Sequence, residues 1–517
     1  MKVLLINPPY DRLKGFRGHH APPLSLSILA AILRNDNIDV RILNLNFGSE
    51  SLKSPVEHIV HTTIKQQFSD LSNNFYDQDC YIWKELVQVL NEFSPELIGL
   101  TANSTDYFSS VKVGEICKKI IPKTPICLGG LHASAFSYQL LKNSPFDYLV
   151  KGEGEISFLE LINSLISKKS LNNILGLSYK CSSGSIVHNH KRPFITNLDD
   201  IPRPHYQTDY NYEYLKSGAL FNTVSSRGCP FKCTYCSSAH LWEKTYRTYS
   251  VKRILDDIEY NIDQYHLNYI KFMDDLIFLR KDFFLSLCHG LMERKLHKKI
   301  HWECFTRLDL LDEEIVKIMK KANCHKVKVG IEFGSDRILK LVKKNITIKE
   351  VHKKIALLQK YDLIISGLFM FGHPDETIQD INSTINLMNT LKLDYYTISK
   401  LLPLPVTEIY NSLVSKGVIS ANFLWDDLEQ VIKHNLRNFT SIDDSTMMKI
   451  EGNFRAYAYK KNELSLRTMV KKFKIYHKLA FSHPSFLMTQ LKYKYQGLKK
   501  STICSNILTE LPNDSKN

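Results

Sequence analysis

The chain has 517 residues, 44% of them hydrophobic and 23% charged, with a formal net charge of +15. That is material for two to four domains with ample core, which excludes a disordered chain and a small disulfide-stapled scaffold. Residues 466–500 hold nine Lys or Arg and no Asp or Glu, so the remainder carries only +6 and the basicity belongs to a tail, not to a nucleic-acid-binding face.

Outside one cluster, the cysteines (Cys80, Cys117, Cys127, Cys181, Cys288, Cys304, Cys324 and Cys504) show no pairing rhythm and read as reduced residues of a cytosolic protein. The run Met1-Lys2-Val3-Leu4-Leu5-Ile6 carries one cation and is too short for a signal peptide, and no window reaches the length of a membrane span. The expectation is a cytoplasmic protein, at most peripheral to a membrane.

Residues 1–190 alternate strands and helices. An apolar strand at 2–6 ends in Asn7-Pro8-Pro9-Tyr10, a helix follows at 24–34, and 40–43 reads as the next strand. Leu97-Ile98-Gly99-Leu100-Thr101 is a buried strand before a helix at 108–121. Strand 125–128 closes on Gly129-Gly130, and strand 148–150 closes on Gly152-Glu153-Gly154-Glu155. This order predicts a doubly wound, Rossmann-like parallel sheet with its ligand beyond the carboxyl ends of the strands. Small and polar residues gather at those ends: Asn7 to Tyr10, Thr101 to Thr105 with Ser104, Gly129 to Ser134 with His132, and Gly152 to Glu155. Singly, each is an ordinary turn. Four together suit a large flat or phosphate-bearing ligand, and no G-x-G-x-x-G after the first strand supports a dinucleotide.

A proline-spaced connector, Asn197 to Tyr206, lies in a linker at 191–215. In the next region, 216–430, a strand at 221–225 delivers the run Arg227-Gly228-Cys229-Pro230-Phe231-Lys232-Cys233-Thr234-Tyr235-Cys236. Its C-x3-C-x2-C spacing sets three thiolates on one loop. Thiolates are the usual ligands of iron–sulfur clusters, and a cubane held by three of them leaves one iron open to a non-protein ligand. A structural zinc site with His240 as fourth ligand is the alternative, although zinc sites usually bring C-x2-4-C pairs separated by a longer loop.

A helix at 252–265 and a strand at 269–273 lead to Asp274-Asp275, 300–305 leads to Thr306-Arg307, and 326–331 to Glu332-Phe333-Gly334. Strand 363–371 closes on Gly372-His373-Pro374, and 396–402 on Pro403-Leu404-Pro405. Six βα units predict a partial (β/α)6 barrel of the TIM type, reactive at its strand carboxyl ends. Residues 431–517 read as a helical, basic region. There Leu466, Met469, Val470, Phe473, Tyr476 and Ala480 fall at helical spacing, with Lys471, Lys472, Lys474 and Lys478 on other faces. This helix is either packed with a solvated basic side or attached to an anionic membrane surface or acidic substrate.

The cysteine run resembles the cluster loop of the radical S-adenosylmethionine superfamily. The resemblance implies that Cys229, Cys233 and Cys236 hold a [4Fe-4S] cluster whose open iron chelates the amino and carboxylate groups of S-adenosylmethionine. Reduction then gives a 5′-deoxyadenosyl radical that takes hydrogen from unactivated carbon. It further implies Tyr235 near the adenine, Arg307 at the carboxylate, Glu332 at the amino group or ribose, Asp274 or Asp275 at the cationic end or the substrate, and Gly367 and Gly372 where backbone approaches the nucleoside. A structural Arg307–Glu332 ion pair at the barrel mouth is the competing reading.

The first domain is similar to the cobalamin-binding domain that precedes the radical domain in one large subclass, through its Asn-Pro-Pro turn, Gly-Gly-x-His-x-Ser and Gly-Glu-Gly-Glu segments. This implies cobalamin against Asn7, Pro8, Pro9, Tyr10, Thr101, Ser104, Gly129, Gly130, His132, Gly152 and Glu153. No Asp-x-His-x-x-Gly occurs in the region, so no protein histidine is expected on cobalt and His132 is a neighbour of the corrin. Both resemblances together imply methylation of an unactivated carbon in a small-molecule or lipid-like substrate, with an external electron donor such as flavodoxin or ferredoxin and no nucleic acid. The rivals are oxidative cyclisation or rearrangement, as in the branch that forms the fifth ring of bacteriochlorophyll, and a metal-stabilised nucleic-acid-binding module.

Overall fold

The computed structural model describes residues 1–15, 22–47, 64–136, 140–142, 144–181, 183–206 and 221–464. The expected basic helix at 466–500 lies outside the described residues. The chain divides into two compact units, the first comprising Met1–Leu276, His289–His301 and Pro403–Leu436, the second Ile277–Cys288, Trp302–Leu402 and the chain from Arg437 onward.

A seven-stranded sheet opens the first unit: β1 (Lys2–Asn7), β2 (Asp39–Asn44), β3 (Leu97–Thr101), β4 (Ile126–Gly129), β5 (Tyr148–Val150), β6 (Leu177–Lys180) and β7 (Ile186–His188). Their order is β2-β1-β3-β4-β5-β6-β7. The first five are parallel. In β1, Val3 to Ile6 are all buried, the continuous apolar run of a strand covered on both faces. The order reverses beside β1, a switch point that opens a crevice at the strand carboxyl ends.

Helix Leu24–Asn35 pairs with helix Gly154–Ser167, and helix Tyr81–Phe93 with Tyr107–Ile120. Leu26, Ala30, Leu33, Phe158, Leu161 and Ile162 of the first pair join Val3, Leu5, Ile42 and Leu97 in one core. Gly99 makes this packing feasible, because a Cβ there would lie 2.7 Å from Leu5 and 3.1 Å from Phe158.

The sheet departs from the all-parallel expectation at β6 and β7, which pair antiparallel. Between β6 and β7 the cause is a tight turn: Gly184, at φ +81, donates its N–H to the Cys181 carbonyl at 2.9 Å. A connection that short returns the chain antiparallel, since parallel neighbours need a crossover.

The remaining strands are β8 (Phe221–Thr223), β9 (Ser226–Arg227), β10 (Arg247–Thr248), β11 (Tyr269–Phe272), β12 (His301–Arg307), β13 (Cys324–Glu332), β14 (Ile364–Phe371) and β15 (Tyr395–Lys400). Six form a sheet in the order β15-β14-β13-β12-β11-β8, while β9 and β10 make a separate antiparallel ribbon. In the second unit the pairs from β12 to β15 are parallel. Alternation of period two is visible in β13, where Val327, Val329 and Ile331 are buried while Lys326 and Lys328 are half-buried. Helices Ile348–Lys360 and Ile378–Thr390 start at capping boxes, Thr347 with Glu350 and Thr377 with Asp380.

Helix Asp444–Leu464 covers the edge of β15. The Asn462 amide donates to the Tyr396 carbonyl at 2.9 Å and accepts the Tyr396 N–H at 2.7 Å, which satisfies an edge that would otherwise invite pairing. Among the described residues, no helix is long and apolar enough to cross a membrane.

Candidate functional site

The cysteine loop leaves β9 through Gly228, at φ +96. A Cβ there would lie 2.3 Å from the Thr245 carbonyl oxygen, so only glycine lets the chain turn at this point. Cys229, Cys233 and Cys236 are half-buried, as is Tyr235 between the last two. The Cys236 N–H closes a turn on the Cys233 carbonyl at 3.1 Å. The Thr234 carbonyl accepts the Ile409 N–H at 3.2 Å, from the first turn of helix Glu408–Ser415, which Thr407 caps. All ten described cysteines are in the thiol form.

Burial pushes the Cys236 thiol up to about 11; the Ser238 amide opposes this, and negative charge on Cys233, Asp275 and Cys229 adds to it. The three sulfurs therefore feel one another. A cationic cluster between them would relieve that repulsion, so the donor set fits iron–sulfur ligation. Among the described residues no three His, Cys, Asp or Glu side chains are already grouped to hold a metal ion, so neither the cluster nor the zinc arrangement is preformed. His240 itself is exposed.

Beyond β11 the two aspartates diverge, as neighbours in extended chain must. Asp274 is buried and accepts the Ser225 N–H at 2.9 Å, the Ser225 hydroxyl at 2.7 Å and the Ser226 hydroxyl at 2.5 Å. It ties the chain ahead of the cysteines to β11. Asp275 instead lines a cavity. Burial raises its pKa, against hydrogen bonds from the Gly228 amide and the Trp242 indole.

That cavity, of about 390 Å³, lies at the carboxyl ends of the first sheet. Thr101, Gly129, Gly130, Gly152 and Glu153 line it, and so do Ser226, Arg227, Trp242, Met273 and Asp275 from the chain around the cysteines. Gly130, at φ +98, is obligatory: a Cβ would meet the Ala102 backbone at 2.6 and 2.8 Å. At Gly129 a Cβ would approach only the Leu100 carbonyl, at 3.9 Å, and at Gly152 nothing lies within 4 Å. These two glycines leave the open cradle that a broad planar ligand needs.

Not every expected contact lines this cavity. Asn7 donates to Asn44 at 2.7 Å, the Pro9 carbonyl accepts the Ser109 hydroxyl at 2.6 Å, and the Tyr10 N–H binds Asn46 at 2.9 Å. Lys14 lies 3.7 Å over the Tyr10 ring, and burial lowers its pKa to about 8. These bonds fix the turn that includes Pro8 against β2 and helix Tyr107–Ile120. Ser104 bonds His132 Nδ1 at 3.0 Å. His132 is fully buried, stacked on Tyr107 at 4.2 Å, and burial pushes it down to about 3, so it is neutral. In helix Leu131–Phe136 it is Leu131, one position earlier, that lines the cavity.

Glu153 is the most engaged of the predicted residues. Its carboxylate accepts Arg227 at 2.7 Å, Arg247 at 2.9 and 3.1 Å, and the Ile195 N–H at 2.7 Å. Burial works against its charge, yet the two guanidiniums win and its pKa lies below the ordinary carboxylate value.

In the second unit, Arg307 and Glu332 do not pair with each other. Arg307 grips Asp309 at 3.1 and 2.9 Å and the Lys344 carbonyl at 2.6 Å. Glu332, in a left-handed conformation at φ +68, accepts Lys344 Nζ at 2.9 Å. Gly367 packs against Leu393, where a Cβ would lie 2.5 Å from a methyl. Its glycine thus answers to core packing.

Sequence reasoning gave no role to Arg227, Arg247 or Trp242, and of the expected pair Asp274 or Asp275 it is Asp275 that lines the cavity. The local signal for Arg227 was adjacency, two residues before Cys229.

Residues 15–162 match the B12 binding domain, and residues 223–388 match the radical SAM superfamily. The chain is a B12-binding domain followed by a radical SAM domain. Cobalamin-dependent radical SAM enzymes also share its fold. A radical S-adenosylmethionine methyltransferase, TsrM from Kitasatospora setae, with cobalamin and a [4Fe-4S] cluster bound, superposes with a TM-score of 0.63 at 19% identity, over 82% of this chain and 76% of that one. An uncharacterised methyltransferase of Pyrococcus horikoshii is 29% identical over 452 residues, 87% of this chain and 88% of that protein. The anaerobic magnesium-protoporphyrin IX monomethyl ester cyclase of Rubrivivax gelatinosus is 26% identical over 359 residues, 68% of this chain and 63% of that protein.

Proposed function

We propose that this cobalamin-dependent radical SAM enzyme is a methyltransferase acting on an unactivated carbon of a small-molecule or lipid-like substrate. The observation that carries the reading is the cavity shared by Gly129, Gly130 and Gly152 at the strand ends and by Arg227, Trp242 and Asp275 beside the cysteines. When bound, S-adenosylmethionine on the cluster supplies hydrogen abstraction and cobalamin supplies the methyl group.

The chain's own residues hold and orient these partners. Cys229, Cys233 and Cys236 are the cluster ligands in this reading. Tyr235, Arg307 and Glu332 serve S-adenosylmethionine, with Arg307 braced by Asp309 and Glu332 by Lys344. Asp274 acts through Ser225 and Ser226, which shape the approach to the cysteines. Thr101, Gly129, Gly130 and Gly152 are the corrin contacts, while Glu153, Asn7, Pro8, Pro9, Tyr10, Ser104 and His132 support them from behind. Trp242, Met273 and Leu131 give the cavity apolar walls that exclude water. The reducing electron comes from an external donor of the flavodoxin or ferredoxin type.

The likeness to a named methyltransferase across most of both chains supports transfer. Likeness to the cyclase favours, as a second reading, oxidative ring closure with the same cofactors. The test is anaerobic reconstitution with iron, sulfide and hydroxocobalamin, then reduction with methyl-labelled S-adenosylmethionine. Methyl transfer puts the label into a product and yields S-adenosylhomocysteine besides 5′-deoxyadenosine. An unlabelled oxidised product formed with 5′-deoxyadenosine supports the cyclase reading, and iron–sulfur absorbance without corrin bands overturns both.

A further inference from the structure

We infer that Glu153 is a positioning residue: with Glu155 it locks the cysteine loop onto the rim of the cobalamin cavity through Arg227 and Arg247, and so sets the separation of the two cofactors. The inference rests on the cobalamin-dependent reading above.

Glu153 follows Gly152, whose missing side chain leaves the cavity open, and its own side chain is only 4% exposed. Four N–H groups meet its two oxygens, from Arg227, Arg247 and the Ile195 backbone. The second arm of Arg227 reaches Glu155 at 2.6 Å. Arg227 is thus clamped by two carboxylates of one loop, two residues before Cys229. A planar guanidinium held at both ends has little freedom to swing.

The ribbon that carries the arginines has no such rigidity of its own. Strands β9 and β10 contribute two residues each, and Arg227 stands directly opposite Arg247. A ribbon this short is unstable alone, and like charges facing across it repel. The carboxylates supply what the ribbon lacks. Arg247 is fixed further by the Phe194 ring, 4.8 Å away, and by the Ile195 carbonyl at 2.5 Å. Two acids and two arginines balance in charge, so the cluster adds no net charge beside the cysteines. Buried ion pairs of this kind seldom add net stability over apolar packing, and their best-attested use is to specify one arrangement.

The test uses the full chain with Glu153→Gln and Arg227→Lys, and Glu155→Gln as a milder variant that frees one arm only. In the cofactor-free protein, hydrogen exchange across residues 226–236 is expected to quicken at least tenfold in the first two and less in the third. In the reconstituted protein, pulsed electron paramagnetic resonance of reduced cluster and cob(II)alamin is expected to show a broadened coupling at wild-type iron and cobalamin content. Arg227→Lys keeps the charge yet fails to rescue, because one ammonium cannot span both carboxylates. Unchanged exchange together with unchanged coupling overturns the inference. If the wild-type chain takes no cobalamin, the functional reading falls while the exchange result still decides whether the carboxylates hold the loop. Should Glu153→Gln not fold, Glu155→Gln and Arg227→Lys decide it alone.

Discussion

Replacing Gly228 by alanine separates the shape of the cysteine loop from its thiols. The residue sits at φ +96, and a Cβ would lie 2.3 Å from the Thr245 carbonyl oxygen and 3.3 Å from the Trp242 Cβ. The left-handed backbone costs an alanine about 1–2 kcal/mol. Overlap with a backbone oxygen cannot be relieved by choosing another rotamer, and overpacking of this kind adds about 1–3 kcal/mol. The sum, about 2–5 kcal/mol, lowers the population of the cluster-competent loop by about 30-fold to about 4,000-fold at 1.4 kcal/mol per decade. The assay is iron and sulfide per chain after anaerobic reconstitution, read beside the charge-transfer absorbance. Gly228→Ala keeps Cys229, Cys233 and Cys236 and is expected to lose most of its cluster, while cobalamin binding survives. Wild-type iron content in this variant would refute the claim that Gly228 shapes the site.

Each of Cys229→Ala, Cys233→Ala and Cys236→Ala is expected to abolish the iron–sulfur absorbance and leave the corrin bands; full iron retention in any one would remove that residue from the ligand set. Gly129→Leu, whose Cβ meets only the Leu100 carbonyl at 3.9 Å, fills the cavity and should weaken cobalamin binding at least tenfold in a titration without lowering the melting temperature. His132 is held neutral, its folded pKa of about 3 lying below the ordinary 6.5. The native state therefore binds fewer protons than the unfolded one, so this contribution is complete above about pH 6.5 and is lost as pH falls toward 3. Denaturant titrations should show a shallower acid loss for His132→Phe, and parallel curves would contradict it. Lys344→Met leaves the buried Glu332 carboxylate without its 2.9 Å partner and should destabilise the second unit by about 3–5 kcal/mol, measured as a shift in its denaturation midpoint.

The elements that could be read along the chain are those whose signal is local. Val3 to Ile6 and the 97–101 strand announced themselves as unbroken apolar runs, and the alternation of strand and helix required parallel pairing. The hairpin of β6 and β7 escaped because its strands, of four and three residues, mix polar and apolar side chains, Leu177-Ser178-Tyr179-Lys180 and Ile186-Val187-His188, and lack the unbroken apolar run that marks a buried strand. Gly129, Gly130 and Gly152 line the cavity because the carboxyl ends of three strands converge on it, which the strand–turn order already implied. His132 and Tyr10 turn away from it, which the sequence could not show: polar side chains in a glycine-rich turn look the same whether they meet a ligand or a neighbouring helix.

Spacing alone gathered the three cysteines, since residues three and four apart on one loop cannot separate, and order along the chain alone set the cobalamin domain ahead of the radical domain. Partner choice belonged to the folded molecule. Whether Arg307 would meet Glu332 or its near neighbour Asp309 depended on how the folded backbone aimed the side chain, and whether Glu153 would face a corrin or two arginines depended on contacts between segments far apart in sequence, 74 residues in the case of Glu153 and Arg227. A charge carries no mark of its partner until backbone hydrogen bonding and core packing have fixed both ends in space.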